Sequence, residues 1–201
     1  MELYLIRHGE ILGAQERKYN GQRDVPLSDR GRIQLRCLAE FLKKKVAFDA
    51  VYASDLSRSE ESAMIIAEPQ SLQPLLIPAF RERNFGDWEG MTFEEIAAQN
   101  PNAFYAWAED PLNYSPVGGE STVAVRDRVM PALEELRSKH RGHKIALVAH
   151  GGVNRIILCE ILGVPLQNVF RIEQNFGAMN IIEFLKNMPL LKKLNVVIDT
   201  R

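Results

Sequence analysis

A histidine followed by a glycine ends each of two apolar runs in this chain. His8 follows the run 3–6 after a single arginine, and His150 directly follows the run 145–149. Short apolar runs of this kind indicate buried strands, and the carboxyl ends of parallel strands meet at one edge of a sheet. We therefore expect the two histidines to lie together, although most of the chain separates them.

These residue types suit nucleophilic chemistry on an anionic ligand. A neutral imidazole is a good nucleophile near pH 7. The glycine after each histidine lets the backbone approach a ligand, and helix N-termini nearby would favour an anion. A single His-Gly pair is common and often marks only a turn. Two such pairs at two strand ends are harder to explain by chance, and they favour a functional site.

Six motifs follow one another along the chain. They are Leu5-Ile6-Arg7-His8-Gly9-Glu10, Gly21-Gln22-Arg23-Asp24-Val25-Pro26-Leu27-Ser28, Tyr52-Ala53-Ser54-Asp55-Leu56-Ser57-Arg58, Glu82-Arg83-Asn84-Phe85-Gly86-Asp87-Trp88-Glu89-Gly90, Gly119-Glu120-Ser121 and Val148-Ala149-His150-Gly151-Gly152. In this order they resemble the histidine phosphatase superfamily, also called the phosphoglycerate mutase-like family. The resemblance extends over nearly the whole chain, from about residue 3 to residue 184.

The resemblance implies that His8 attacks phosphorus and becomes a phosphohistidine. Arg7, Arg58 and His150 would hold the phosphate oxygens, because an arginine fork fits two such oxygens at once. Glu82 would protonate the leaving oxygen and then accept a proton from the attacking water. Substrate contacts are also implied for Gly21, Gln22 and Gly151. The resemblance implies no metal and no cofactor.

Four polar residues, two of them not part of the resemblance, have simpler interpretations. Taken alone, Arg58 lies in a polar helix start and Glu82 lies between two arginines, so each could be a surface charge. His140 and His143 flank a turn and are expected to be exposed. Their spacing could suit a metal, but no carboxylate or thiol is placed to complete such a site.

The chain departs from the family pattern just after the nucleophile. The family commonly has tryptophan and asparagine where this chain has Gly13 and Ala14, and often arginine where it has Lys18. The phosphate donor that the asparagine usually supplies is therefore missing or replaced. Asn20 and Gln22 are the nearby candidates.

Strands that alternate with helices, followed by a strand-rich tail, predict an α/β fold. We expect a three-layer α/β/α sandwich with a mostly parallel sheet carrying an antiparallel edge strand. Strands are predicted at residues 3–6, 49–53, 75–77, 144–149, 169–173, 178–184 and 194–198. Helices are predicted at about 28–44, 56–67, 121–139 and 153–162, with two shorter ones from Thr92 and Pro101. Pro131 is expected to bend or break the helix that contains it.

The length of 201 residues predicts a single domain. The loop-rich stretch 80–119 lacks the alternating pattern and predicts a lid-like insert over one end of the sheet, where α/β sites form. Trp88, Tyr105 and Trp107 in this insert could line a substrate mouth, but we favour a small core within the insert itself.

Charge and cysteine content bound the partners and the compartment. With 25 basic and 26 acidic residues the net charge is −1, which excludes a strongly basic protein that recruits nucleic acid or an anionic membrane. Two cysteines are too few for a disulfide scaffold. Neither a secretory leader nor a membrane-spanning apolar run is visible. We expect a cytoplasmic protein that binds a small phosphorylated metabolite; a homodimer stays open.

The segment after Glu82 resembles the phosphatase branch of the family rather than its mutases. Together with the overall pattern, the tail at 171–180 is similar to bacterial α-ribazole phosphatases of cobalamin biosynthesis. The same features also occur in broad-specificity phosphatases and sugar-bisphosphatase relatives. Three alternatives remain: phosphoglycerate mutase-type transfer, a non-catalytic protein that binds a phosphorylated ligand, and a metal-dependent hydrolase. The last would use His8 and His150 as metal ligands, with Glu10 or Glu82.

Overall fold

The computed structural model describes residues 1–186 and 188–198. Within them one sheet contains six strands: β1 (Glu2–Arg7), β2 (Ala50–Ala53), β3 (Leu75–Leu76), β4 (Lys144–Ala149), β5 (Met179–Phe184) and β6 (Pro189–Val196). Their order across the sheet is β3-β2-β4-β1-β5-β6. The pairs β3–β2, β2–β4 and β4–β1 are parallel, whereas β5 is antiparallel to both β1 and β6. The predicted mostly parallel sheet with an antiparallel edge is confirmed.

Helices cover both faces of this sheet. They are α1 (Asp29–Lys43), α2 (Ser57–Ala67), α3 (Phe93–Gln99), α4 (Pro101–Glu109), α5 (Thr122–Lys139) and α6 (Gly151–Leu162). The helix starts predicted at Ser28, Thr92 and Ser121 are correct, since each of these residues accepts a hydrogen bond from the first turn of its helix. Side-chain caps of this kind satisfy backbone N–H groups that have no partner inside the helix.

Alternate residues of the central strands enter two separate cores. Leu3 and Leu5 of β1 pack with α5 and α6 on one face, whereas Tyr4 and Ile6 pack with α1 and α2 on the other. Successive strand side chains point to opposite faces, so a strand buried on both faces is an unbroken apolar run. The three-layer sandwich follows from these two cores.

Three predicted elements differ in the structure. The helix α5 runs through Pro131 without a break, because its buried face of Val125, Val129, Leu133 and Leu136 outweighs one lost hydrogen bond. The predicted strand at 169–173 is wrong, since a 3₁₀ turn occupies Leu166–Arg171. Leu166 and Val169 are both buried, and their spacing of three suits a helical turn. The last strand, β6, begins earlier than predicted, at Pro189.

The stretch 80–119 contains α3 and α4 and builds its own small core. Trp88 is buried; its ring meets the edge of Trp107 and stacks on Tyr114. Tyr105, in contrast, is 64% exposed. No helix of the described chain is long and apolar enough to cross a membrane.

Candidate active site

The parallel pairing of β1 and β4 brings the two histidines together. Arg7 at the end of β1 lies opposite Ala149 at the end of β4, and the next residue of each strand is a histidine. The ring centroids of His8 and His150 are 5.1 Å apart. The structure therefore confirms the expected meeting of two distant segments at one sheet edge.

His8 is held as a neutral imidazole with one free nitrogen. Its side chain is buried, and Nδ1 lies 2.8 Å from the carbonyl oxygen of Gly9. A carbonyl only accepts, so Nδ1 carries the proton and Nε2 keeps its lone pair. Burial, with the positive charges of Arg58 and Arg7, holds the pKa of His8 well below its usual range. A nucleophile needs this unprotonated form.

His150 is fully buried beside His8. Its Nε2 is 2.6 Å from Oγ of Ser54, whereas its buried Nδ1 has no protein partner. Burial, followed by the charge of Arg58, holds the pKa of His150 well below its usual range. The Ser54 hydroxyl can donate to Nε2 or accept from it; in the tautomer that accepts from Ser54, Nδ1 carries the proton and that N–H can donate to a phosphoryl oxygen.

The guanidinium of Arg7 is fixed from two sides. Nη1 donates to the carbonyl of Gln174 at 2.5 Å, and the ring of Phe176 stacks 3.8 Å from the guanidinium carbon. Its buried Nε has no protein partner. Burial lowers the pKa of Arg7 to about 10, which still leaves it charged at neutral pH. The free donor and the charge suit an anionic group.

The surface interpretation of Arg58 is wrong, because only 2% of this residue is exposed. Nη2 donates to the carbonyl of Gly21 at 2.6 Å, and Nη1 donates to that of Arg23 at 2.8 Å. Burial lowers the pKa of Arg58. The residue thus ties the loop around Gly21 to α2 and keeps a positive charge beside His8.

Two main-chain N–H groups hold the carboxylate of Glu82. Arg83 N donates to Oε1 and Gly152 N donates to Oε2, each at 2.9 Å. A Cβ on residue 152 would overlap this carboxylate. Since Gly152 lies in the first turn of α6, two residues beyond His150, these contacts fix Glu82 beside the histidine pair.

The three predicted substrate contacts occupy different places. Gly21 lines the cleft in front of His8. Gly151 lies directly behind Arg7, where a Cβ would be 3.3 Å from the guanidinium carbon. The structure does not bring Gln22 into the cleft wall, because its side-chain amide donates to the carbonyl of Glu82 at 3.1 Å.

The cleft above His8 has a volume of about 340 Å³. Ala14 is part of its wall, and of the two candidates to replace the family asparagine, Asn20 lines the cleft. Sequence reasoning missed Arg17, which also lines it from a left-handed backbone position with φ 53°. Nothing in the sequence marks Arg17 as different from other surface arginines.

Sequence reasoning also missed Ser54 and Phe176, although signals for both were present. Ser54 directly follows β2, the parallel neighbour of β4, so the strand-end argument applies to it as well. Phe176 precedes β5, whose antiparallel pairing with β1 places the residues before β5 next to those after β1.

The metal alternative finds no support among the side chains. In the described ranges, no three or more His, Cys, Asp or Glu residues cluster as metal ligands would. Glu10 instead accepts from Ser28 Oγ at 3.1 Å. His140 is buried rather than exposed, with Nε2 2.8 Å from the hydroxyl of Tyr52, whereas His143 is exposed as expected.

Comparisons with known proteins match this chain over almost its full length. The model of the histidine phosphatase superfamily (branch 1) matches residues 3–197. Phosphoserine phosphatase 1 of Hydrogenobacter thermophilus is 32% identical over 196 residues, covering 98% of this chain and 92% of that protein. Adenosylcobalamin/alpha-ribazole phosphatase of Escherichia coli is 29% identical over 195 residues, covering 97% and 96%. The crystal structure of the alpha-ribazole phosphatase from Shigella flexneri has a TM-score of 0.89 at 29% identity, covering 98% and 96%.

Proposed function

This chain belongs to the histidine phosphatase superfamily, branch 1, and we propose that it hydrolyses a phosphomonoester through a phosphohistidine on His8. One observation carries the proposal. The free Nε2 of a buried, neutral His8 faces a cleft that Arg7, Arg58 and Glu82 also line. A nucleophile, cations for the phosphoryl oxygens and a carboxyl group are the parts that phosphoryl transfer to an imidazole requires.

In the first step, Nε2 of His8 would attack phosphorus while the bond from phosphorus to the ester oxygen breaks. Glu82 would give a proton to the departing oxygen, and the alcohol would leave. Arg7 Nε and His150 Nδ1 have no protein partners and would donate to the phosphoryl oxygens. Preorganised donors of this kind stabilise charge without rearranging during the reaction.

In the second step, water would attack the phosphohistidine. Glu82, now a carboxylate, would accept a proton from that water as the oxygen bonds to phosphorus. The bond from phosphorus to Nε2 would break, and its electrons would return to the imidazole. Because Nδ1 donates to the carbonyl of Gly9, the ring keeps one tautomer through both steps.

We take α-ribazole 5′-phosphate as the first substrate to test, since two of the similar proteins are named as alpha-ribazole phosphatases. Phosphoserine is the competing substrate, because a third relative is named for it. Acting on α-ribazole 5′-phosphate would place the chain in cobalamin biosynthesis. We further propose a cytoplasmic location, where free thiols such as Cys37 and Cys159 persist.

The experiment is rapid-quench trapping with radiolabelled substrate, followed by alkaline work-up, because phosphohistidine survives base and is lost in acid. We expect acid-labile label on wild type and none on His8→Ala, which should remain folded by circular dichroism. Acid-stable label on a serine or an aspartate would refute the proposed nucleophile.

The same assay separates the other functions of this family. Transfer of label to a second phosphoglycerate, faster than release of inorganic phosphate, would indicate a mutase. Binding of inorganic phosphate without turnover of α-ribazole 5′-phosphate, phosphoserine or phosphoglycerates would indicate a non-catalytic protein. Loss of activity with a chelator would favour the metal-dependent mechanism.

A further inference from the structure

A second cavity, of about 200 Å³, opens beside the cleft above His8. Tyr19, Glu82 and Phe85 line both spaces. Glu82 is the proposed proton donor to the leaving oxygen, so the leaving group must begin next to this carboxylate. The second cavity starts at that point and extends towards α6.

The walls of this second cavity are mainly apolar and aromatic. Trp107 comes from α4, Phe170 from the 3₁₀ turn after α6, and Ile156 from α6 itself. The rings of Trp107 and Phe170 meet edge to face, with centroids 6.5 Å apart. Phe170 is nevertheless 67% exposed. A flat apolar ligand packed against this aromatic wall would remove that surface from water, which is favourable.

The size suits a single ring system. A dry engineered cavity of about 150 Å³ binds benzene, and this cavity is somewhat larger. An aromatic ring also gains from edge-to-face contact with other rings. Trp107 and Phe170 touch each other and form one aromatic wall for such contacts, with one ring from the insert and the other from the main sandwich.

One cation in this cavity is available to a ligand. Arg155 is half-buried, and its Nε donates to the carbonyl of Ile172 at 2.7 Å. Its two terminal nitrogens make no hydrogen bond or ion pair within the described chain. The neighbouring Arg83 differs, because all three of its nitrogens donate to protein oxygens. Of the two arginines at this wall, Arg155 is therefore the one with free donors.

We propose that this cavity is the leaving-group pocket and that it takes an aromatic ring whose acceptor or carboxylate substituent binds Arg155. The proposal rests on the hydrolysis proposed above and deepens it by naming the class of alcohol released. Phosphoserine carries a carboxylate but no ring, so it would leave the wall formed by Trp107 and Phe170 uncovered.

The preference of the pocket for an aromatic ring is tested by measuring binding, which does not require turnover. Calorimetry compares two phosphonates, the analogues of phenethyl phosphate and of ethyl phosphate. We expect the wild type to bind the aromatic analogue at least tenfold more tightly, because burying a ring removes apolar surface from water. Trp107→Ala and Phe170→Ala should each reduce this ratio severalfold. Tyr105→Ala, which removes an exposed aromatic side chain of the same helix, should leave the ratio unchanged.

The role of Arg155 is tested with a para-carboxyl group added to the aromatic phosphonate. The wild type should bind the substituted compound at least fivefold more tightly, and Arg155→Met should abolish that gain. Arg126→Met serves as the control, since Arg126 lies on the outer surface with Asp127 as its partner.

Equal affinity of the wild type for both phosphonates would refute the assignment of this cavity as an aromatic leaving-group pocket. So would a ratio that survives both aromatic substitutions, or a carboxyl gain that survives Arg155→Met. Failure of hydrolysis is a separate result. If phenethyl phosphate, α-ribazole 5′-phosphate and phosphoserine all remain intact while the binding ratio holds, the pocket assignment stands and the proposed reaction is refuted.

Discussion

The main-chain nitrogen of Gly152 donates to Oε2 of Glu82 at 2.9 Å, and a Cβ on residue 152 would overlap the same carboxylate. The backbone that follows His150 thus fixes the carboxyl group that we propose as acid and base. Gly152 has ordinary helical geometry in α6, so it is not needed for its backbone freedom. What matters is the missing side chain, which leaves room for the carboxylate.

Gly152→Ala should lower kcat/KM at least tenfold, because the new methyl group must push the carboxylate away from the leaving oxygen. Arg7, Arg58 and His150 stay in place, so the affinity for inorganic phosphate should change less than threefold. Steady-state kinetics and calorimetry measure the two effects. A fully active variant would show that the position of Glu82 is not critical.

Glu82→Gln should slow alkyl phosphates more than p-nitrophenyl phosphate. An alkoxide needs a proton as it leaves, whereas nitrophenolate departs without one. Single-turnover phosphorylation of His8 is the right measurement, because it excludes slow hydrolysis of the intermediate. Glu134→Gln, at an exposed position of α5, is the matched control. Equal slowing of both substrates would leave Glu82 only a positioning role.

Arg7→Ala and Arg58→Ala should each lower kcat/KM more than tenfold, since a charge-assisted hydrogen bond contributes about 1.5–3 kcal/mol. Vanadate inhibition should weaken in both variants and stay unchanged in Arg126→Ala. Thermal unfolding should show the larger loss of stability for Arg58→Ala, because Arg58 holds two main-chain carbonyls, whereas Arg7 holds one. Unchanged vanadate inhibition would place an arginine outside the phosphate site.

His150 should make the folded chain less stable below neutral pH. Its folded pKa is well below the usual value of about 6.5, chiefly because it is buried. The unfolded chain binds a proton that the folded chain does not. Stability is therefore complete above about pH 6.5 and is lost as the pH falls towards the folded pKa, by at most about 1.4 kcal/mol per pH unit for this group.

Urea unfolding at about pH 7.5 and pH 5.5 measures this dependence. His150→Gln should reduce the difference between the two pH values, whereas His143→Gln, at an exposed position, should not. The prediction fails if His150→Gln and wild type lose the same stability on acidification.

The apolar runs before His8 and His150 were enough to predict both strands and their meeting. Because the two strands pair in parallel, the residues that follow them lie at the same edge of the sheet. The burial of Arg58 was not predictable from its polar surroundings, because the partners of its guanidinium are main-chain carbonyls of a distant loop. The amide of Gln22 has a carbonyl partner in the same way. Main-chain acceptors are identical at every residue, so sequence carries no sign of them.

The order of the strands in the sheet has a consequence for how the protein acquires activity. The strand β1 lies between β4 and β5, both of which come much later in the chain. During synthesis from the N-terminal end, β1 therefore cannot pair until β4 and β5 have been made, and such non-local pairing is slow. A fragment that ends before residue 144 contains His8 but no partner strand to enclose it. The nascent chain thus carries His8 before the strand that brings His150 to the same sheet edge has been made.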